Sequence, residues 1–231
     1  MLTLAQAKDI VSREGWLSHL PASFRETVLD MSSLRTLKAG TALYSVGDPP
    51  AGMYGLVAGS LALAIAPGER GPYVAHFIRP GTWFGEVAAL MEQPRRVGLA
   101  ATRDSAVFHL PQPAIRETLA AEPGAWRYFF LATVAHYDVA IGAADDLMIR
   151  DHFRRGVAVL LRLGGCRLRT LPGAAPIEVD VSQEDFGAIA NVARTTAGRV
   201  LRSLEIAGHI EVSYRRIRIL DPDALRGILD A

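Results

Sequence analysis

At 231 residues with a net charge of +1, the chain has room for one large domain or two ordinary ones, and no whole-molecule field draws it to an anionic partner. Half of the residues are hydrophobic and 21% are charged, the balance of a globular chain and not of a disordered one. The single cysteine, Cys166, excludes an internal disulfide and a four-thiolate iron–sulfur cluster, and it fits a reducing compartment.

No apolar run approaches membrane length, and the N-terminus lacks the basic-then-apolar pattern of a signal peptide. A soluble, cytoplasmic protein with no membrane partner is therefore expected. Nearly all the cations are arginine, Lys8 and Lys38 being the only lysines. Any affinity for nucleic acid must come from a local patch of them.

Residues 1–30 read as short helices. Leu4, Ile10 and Val11 form a weak stripe, and Trp16-Leu17 with Leu20-Pro21 marks a break before Ser23–Leu29. From Leu34 to Leu110 short apolar runs are punctuated by Gly40, Gly47-Asp48, Gly59, Gly68, Gly71-Pro72, Pro80-Gly81 and Gly85. Turns at roughly ten-residue spacing predict an antiparallel β-sandwich or barrel. Tyr54–Leu61 reads as strand, turn and strand, and Val74, His76 and Ile78 alternate in another strand.

Within Pro80–Leu99, Phe84-Gly85-Glu86 runs into a short helix, Val87–Met91, and the following loop ends in Pro94-Arg95-Arg96. The start of a helix exposes N–H groups that can hold a phosphate, and a nearby arginine can neutralise it. A carboxylate at the same opening can accept hydrogen bonds from a ribose hydroxyl. The same residues also fit a barrel corner in which Glu86 and Arg95 simply pair with each other.

Pro113–Ala121 reads as one helix, and Pro123 is well placed to begin another that runs to Ile149. Along it Phe130, Val134, Tyr137, Ile141, Ala144 and Met148 recur at alternating four and three residues, a coiled-coil seam. At about 1.5 Å per residue such a helix spans nearly 40 Å, more than a lone domain normally needs. Packing of this stripe on the barrel is the alternative. Asp151-His152 marks a hinge, Phe153–Leu163 a helix ended by Gly164-Gly165, Leu171–Pro176 a loop, and Ile177–Val179 a brief strand.

Val181–Leu204 reads as two short helices around a tight turn. Ser182 and Asp185 form a capping-box-like start. Phe186, Ile189 and Ala190 give the first helix an apolar face, and Asn191 tolerates the left-handed turn that follows. In the second helix Ala193, Ala197, Val200, Leu201 and Leu204 make an apolar stripe, while Arg194, Thr195, Gly198, Arg199 and Arg202 face the other way. That face has three cations and no acid. Guanidinium groups read guanine edges or grip phosphates, so the pattern fits a helix-turn-helix with Arg194–Leu204 in a major groove. Gly208 can end the helix. Ile210–Val212 and Ile217–Ile219 then alternate around Tyr214-Arg215-Arg216 as a hairpin with a basic tip, completing a winged helix-turn-helix.

The glycine-punctuated barrel, Phe84-Gly85-Glu86 with its short helix, Pro94-Arg95, the long helix and the winged helix-turn-helix together resemble the cAMP receptor protein (Crp/Fnr) family over nearly the whole chain. The resemblance implies an α+β protein: a cyclic-nucleotide-binding-like sensor β-roll over 1–122, a dimerisation helix over 123–150 and a winged helix-turn-helix DNA-binding domain over 151–231. It implies a homodimeric, effector-sensing transcription regulator and no enzyme. The partners would be double-stranded DNA with a pseudo-palindromic operator, RNA polymerase and a small-molecule effector. Two recognition helices would sit about 34 Å apart.

In the family's phosphate cassette, Glu86 matches the ribose ligand and Arg95 the phosphate ligand, with Gly85, Val87 and Arg96 beside them. Arg96 stands where the family usually carries a small residue, and Ala140-Ile141 lack the hydroxyls that many cAMP binders place against the purine. Cyclic AMP or another cyclic nucleotide thus remains one candidate and a different effector the other. In the reader, Arg194 and Arg199 match base-contacting arginines. Thr195 replaces an acid, Ala193 replaces a capping hydroxyl, and Ser182, Thr196 and Arg202 complete the expected DNA face.

Two other classes share parts of this pattern. A cupin-type metalloenzyme needs clustered histidines, whereas His76 and His109 stand singly. A haem-dependent sensor would have His76 as its candidate axial ligand. No metal site is expected.

Overall fold

In the computed structural model, residues 2–66, 71–170 and 176–230 are described. Gly68 and most of the expected loop Leu171–Pro176 lie outside them. The chain divides into two compact units, Met1–Tyr137 and Asp138–Ala231.

The first unit opens with α1 (Leu4–Arg13), whose N-cap Thr3 and Gln6 make a reciprocal capping box. A single 3₁₀ turn (Trp16–His19) and α2 (Ala22–Asp30) follow. The strands are β1 (Ser33–Leu37), β2 (Ala42–Tyr44), β3 (Gly52–Ala58), β4 (Leu61–Ile65), β5 (Tyr73–Ile78) and β6 (Trp83–Phe84). Then come α3 (Glu86–Met91), β7 (Gly98–Ala101), β8 (Ser105–Pro111) and α4 (Gln112–Ala121).

The strands pair antiparallel in two sheets, in the orders β1-β8-β3-β6 and β2-β7-β4-β5. Both sheets contribute to one apolar interior of Tyr44, Tyr54, Leu56, Leu61, Ile78, Phe84, Leu99, Ala101 and Val107. This is the expected roll. A second core gathers Val11, Trp16, Phe24, Trp83, Phe108 and Phe129. There the Trp16 ring lies 5.6 Å from both Trp83 and Phe129, so the N-terminal helices are fastened to the sheet by aromatic contacts.

The long helix starts later than Pro123 suggests. Residues Pro123–Ala125 form a 3₁₀ turn, and α5 runs Trp126–Met148 without a break at Gly142. The division between the two compact units falls inside α5.

In the second unit, α6 (His152–Leu163) is capped by Asp151, whose carboxylate accepts from the Arg154 N–H. There follow β9 (Ile177–Val179), α7 (Gln183–Ile189), α8 (Arg194–Ile206), β10 (Ile210–Ser213), β11 (Arg216–Ile219) and α9 (Pro222–Asp230). Strands pair in the order β10-β11-β9. Val157, Leu160, Leu161, Phe186, Ala197, Val200, Leu201, Ile217 and Leu225 are all buried, and a first side-chain carbon on Gly156 would come within 3.0 Å of Val200. That glycine lets α6 approach α8 closely. The last turns of α5 are tied to α6 by a buried ion pair: Arg162 Nε donates to Asp146 Oδ2 at 2.8 Å, with Arg167 Nε on the other carboxylate oxygen at 3.2 Å.

Candidate effector pocket and nucleic-acid interface

The opening of α3 is built around Gly85, which takes φ +94° as its N-cap. A side-chain carbon there would lie 2.6 Å from Arg95 Nη1. The glycine therefore leaves room for the arginine beneath it. Arg95 is turned inward and is 3% exposed. Its Nη1 donates to the Gly85 carbonyl at 3.1 Å and its Nη2 to the Gly52 carbonyl at 2.7 Å. The guanidinium lies 4.3 Å from the Tyr44 ring centroid and 5.7 Å from that of Tyr54, within cation–π range of both. Its Nε is buried and has no hydrogen-bond partner among the described residues. Burial pushes the Tyr44 hydroxyl far above its ordinary range; Arg95 opposes that shift, and Glu86 and Tyr54 add to it.

Glu86 is equally enclosed, at 2% exposure, and its Oε1 lies 2.9 Å from Nδ1 of His136 in α5. Among the described residues no ion pair joins Glu86 to Arg95, so the simple corner pairing is replaced by two separate attachments. Burial alone would lower the His136 imidazole. The hydrogen bond and charge of Glu86, with the Trp83 backbone, outweigh it and hold His136 above its ordinary value. Val87 is half-buried, while Arg96 is exposed and donates to Gln93 Oε1 at 3.1 Å.

His136 lies off the coiled-coil seam and outside the Phe84–Arg96 stretch. Phe129, Ala132 and His136 recur at helical spacing off the coiled-coil seam, and the first two are buried. That second stripe is the signal that marks it. His109 is also accounted for: its ring stacks on its cross-strand partner Tyr54 at 4.6 Å, and its Nε2 lies 2.8 Å from the Ala51 carbonyl oxygen. His76 lies half-buried in β5. Among the described residues no group of three His, Cys, Asp or Glu could hold a metal.

Along α5 the seam residues Phe130, Val134, Tyr137, Ile141, Ala144 and Met148 are all exposed, Tyr137 at 64% and Met148 at 80%. Trp126, four residues before Phe130 and 57% exposed, extends the same stripe by a turn.

In the reader, Ser182 caps α7 by accepting from the Asp185 N–H and donates to its carboxylate. Asn191 adopts φ +50°, as the turn demands. Ala193 is the N-cap of α8 and supplies no side-chain hydrogen bond. Arg194, Thr195, Arg199 and Arg202 are exposed on one side, and Thr196 is half-buried with its hydroxyl accepting from Arg199 Nη2 at 3.3 Å. Gly198 sits beneath Gln183. The wing's charge is largely engaged: Arg216 faces Glu178 and Asp180, and Arg218 faces Glu211. Arg215, at φ +55°, and Tyr214, 91% exposed, form its tip.

Two family profiles match this chain: the cyclic nucleotide-binding domain over residues 34–122 and the Crp-like helix-turn-helix domain over residues 154–228. Among solved structures, a Ruegeria pomeroyi protein assigned to cyclic nucleotide binding superposes with a TM-score of 0.72 at 18% identity, covering 100% of both chains. FixK2 from Bradyrhizobium japonicum gives 0.69 at 19% identity, over 87% of this chain and 98% of its own. The c-di-GMP responsive regulator CLP of Xanthomonas campestris gives 0.63 at 20% identity, over 87% and 100%. These three share the fold. A Rhodopseudomonas palustris protein assigned as a potassium channel is 25% identical over 115 residues, 50% of this chain but 27% of that protein.

Proposed function

The chain belongs to the Crp/Fnr family of DNA-binding transcriptional regulators, and on that premise we propose a cytoplasmic homodimer that reads a pseudo-palindromic operator through α8 and answers to RNA polymerase. The observation that carries the reading is the face of α8. Arg194, Arg199 and Arg202 stand exposed on one side and enter no ion pair among the described residues. Arg194 and Arg199 take the base-reading role, with Thr195 tuning the preference. Thr196, Arg202 and Ser182 serve the phosphate backbone, Ser182 while also holding its cap. Dimerisation buries the α5 seam.

The roll is the sensor. A cyclic nucleotide bound in the family's manner must take Glu86 from His136 and draw Arg95 off two carbonyls. These self-made contacts, with Arg96 beside them, favour a regulator indifferent to cyclic AMP. Gly85, Glu86, Val87, Arg95 and Arg96 still frame the place where an effector would act.

The test is operator binding at fixed salt by the full chain, on a duplex selected from random sequence, with and without cyclic AMP. Tight, specific binding unchanged by cyclic AMP is expected. Affinity that appears only with cyclic AMP overturns the effector reading and leaves the reader intact. An arm with c-di-GMP, to which the Xanthomonas campestris relative responds, looks for a different ligand on the same roll.

A further inference from the structure

Helix C-termini leave carbonyl oxygens without intrahelical partners, and a cation set against them gains both hydrogen bonds and a favourable dipole. Arg155, in the first turn of α6, serves two such ends at once. Its Nη1 donates at 2.9 Å to the oxygen of Ile149, the residue after the end of α5. Its Nε donates at 2.8 Å to the oxygen of Ala190, the C-cap of α7, and its Nη2 at 3.2 Å to that of Asn191. Asn191 is the positive-φ residue on which the chain turns toward α8.

All three nitrogens of the guanidinium are therefore engaged, each with a different backbone oxygen. At the next residue, Gly156, a side-chain carbon would come within 3.0 Å of Val200 in α8, so the two helices pack closely there. The end of α5 and the turn thus converge on one side chain of α6, and α8 packs against the residue that follows it. A planar fork can hold several acceptors in fixed relation; an ammonium on a flexible stem cannot.

We propose that Arg155 is the positioning residue of the reader: it touches no DNA, but it sets the Ala190–Asn191 turn, and with it the placement of α8, against the end of α5. This rests on α8 reading DNA, as proposed above. A displacement of Ile149 is then passed to the turn through a single side chain, with neither helix unwinding. The competing role for a cation beside a helix-turn-helix is a phosphate contact. Lysine sustains a phosphate contact, and losing one flattens the salt dependence of binding by about one unit. Neither holds for a bridge between three carbonyls.

The experiment compares the full-length parent, Arg155→Lys and Arg199→Ala on the selected operator and on an unrelated duplex, over a salt series, with thermal melts to follow the fold. Arg155→Lys is expected to stay folded and to lose roughly ten- to hundredfold in operator affinity. Its affinity for unrelated DNA and its salt slope should match the parent's. Parent-like operator binding by Arg155→Lys overturns the proposal. So does a salt slope reduced by about one on both duplexes, which makes Arg155 a phosphate contact. If Arg155→Lys is unfolded at the assay temperature, the comparison moves to an Ala193→Ser background, where an added helix cap raises stability; unfolding there too makes Arg155 a folding residue and overturns the proposal. Arg199→Ala separates the two readings. If it loses operator binding while Arg155→Lys does not, only the positioning role fails; if it binds as the parent does, α8 is not the reader and both fail.

Discussion

Nδ1 of His136 lies 2.9 Å from Oε1 of Glu86, so the buried carboxylate that opens α3 is held by the long helix of its own chain. The imidazole's folded-state value is raised above the ordinary 6.5. The stabilisation it contributes is therefore fully present below 6.5 and is lost as pH rises through the raised value.

Replacing His136 with Gln should make this visible. The melting temperature of the parent should exceed that of His136→Gln most at pH below 6.5, and the gap should close as pH rises. Because the imidazole is 34% exposed, water screens the pair, and about 1 kcal/mol or less is expected. A gap that is constant with pH would show that the pair does not titrate.

Asp146 and Arg162 form a more costly pair to break. Their side chains are 1% and 7% exposed, and Arg162 Nη1 already lacks a hydrogen-bond partner among the described residues. Asp146→Ala should lower the unfolding free energy by about 3–5 kcal/mol, because it strands a buried cation. Denaturant titration of Asp146→Ala, and of Asp146→Leu with Arg162→Met, checks this; the double variant should recover most of the loss.

On the DNA face, Arg199→Ala should cost about 1–3 kcal/mol on the operator and relax sequence preference, while Arg202→Ala should weaken all duplexes alike and reduce the salt slope by about one. Equilibrium binding across salt concentrations distinguishes them. Equal effects on operator and random DNA from Arg199→Ala would remove it from the base readers.

For assembly, Tyr137→Asp or Ile141→Asp places a charge in the exposed seam of α5. Either should convert the proposed dimer to a monomer by sedimentation equilibrium and leave the fold of the protomer intact, since these side chains are 64% and 51% exposed in the single chain. An unchanged dimer would put the interface elsewhere.

At the start of α8, Ala193 caps nothing. Ala193→Ser should add the missing hydroxyl acceptor and raise stability by about 0.5–1 kcal/mol in thermal unfolding.

Much of this architecture is legible in the chain. Glycine punctuation marks the roll, three-and-four spacing marks α5, and Ser182, Asp185 and Asn191 mark the cap and turn that shape the reader. What is not legible is where polar side chains end. Arg95 and Arg96 are adjacent and chemically identical, yet one is buried under Gly85 against Tyr44 and the other is exposed. The difference lies in strand geometry that brings Gly52 and Tyr44 to the same place, and periodicity holds no such distances. Arg155 looks like one arginine among many until the ends of α5 and α7 meet around it. Pro123 misleads for a local reason: it opens a 3₁₀ turn, and the α-helix begins only at Trp126.

The reader's cations are all guanidinium groups. The chain's two lysines lie in the N-terminal unit, where Lys8 faces Asp30 and Lys38 faces Asp104, each at 2.8 Å. Acetylation, which neutralises lysine-rich DNA-binding surfaces, thus finds no substrate on α8 or the wing. If Arg199 reads a base edge as proposed, its methylation would keep the charge while blocking that paired donation. Side-chain chemistry in the cell could then blur which sequence this surface prefers without releasing it from DNA.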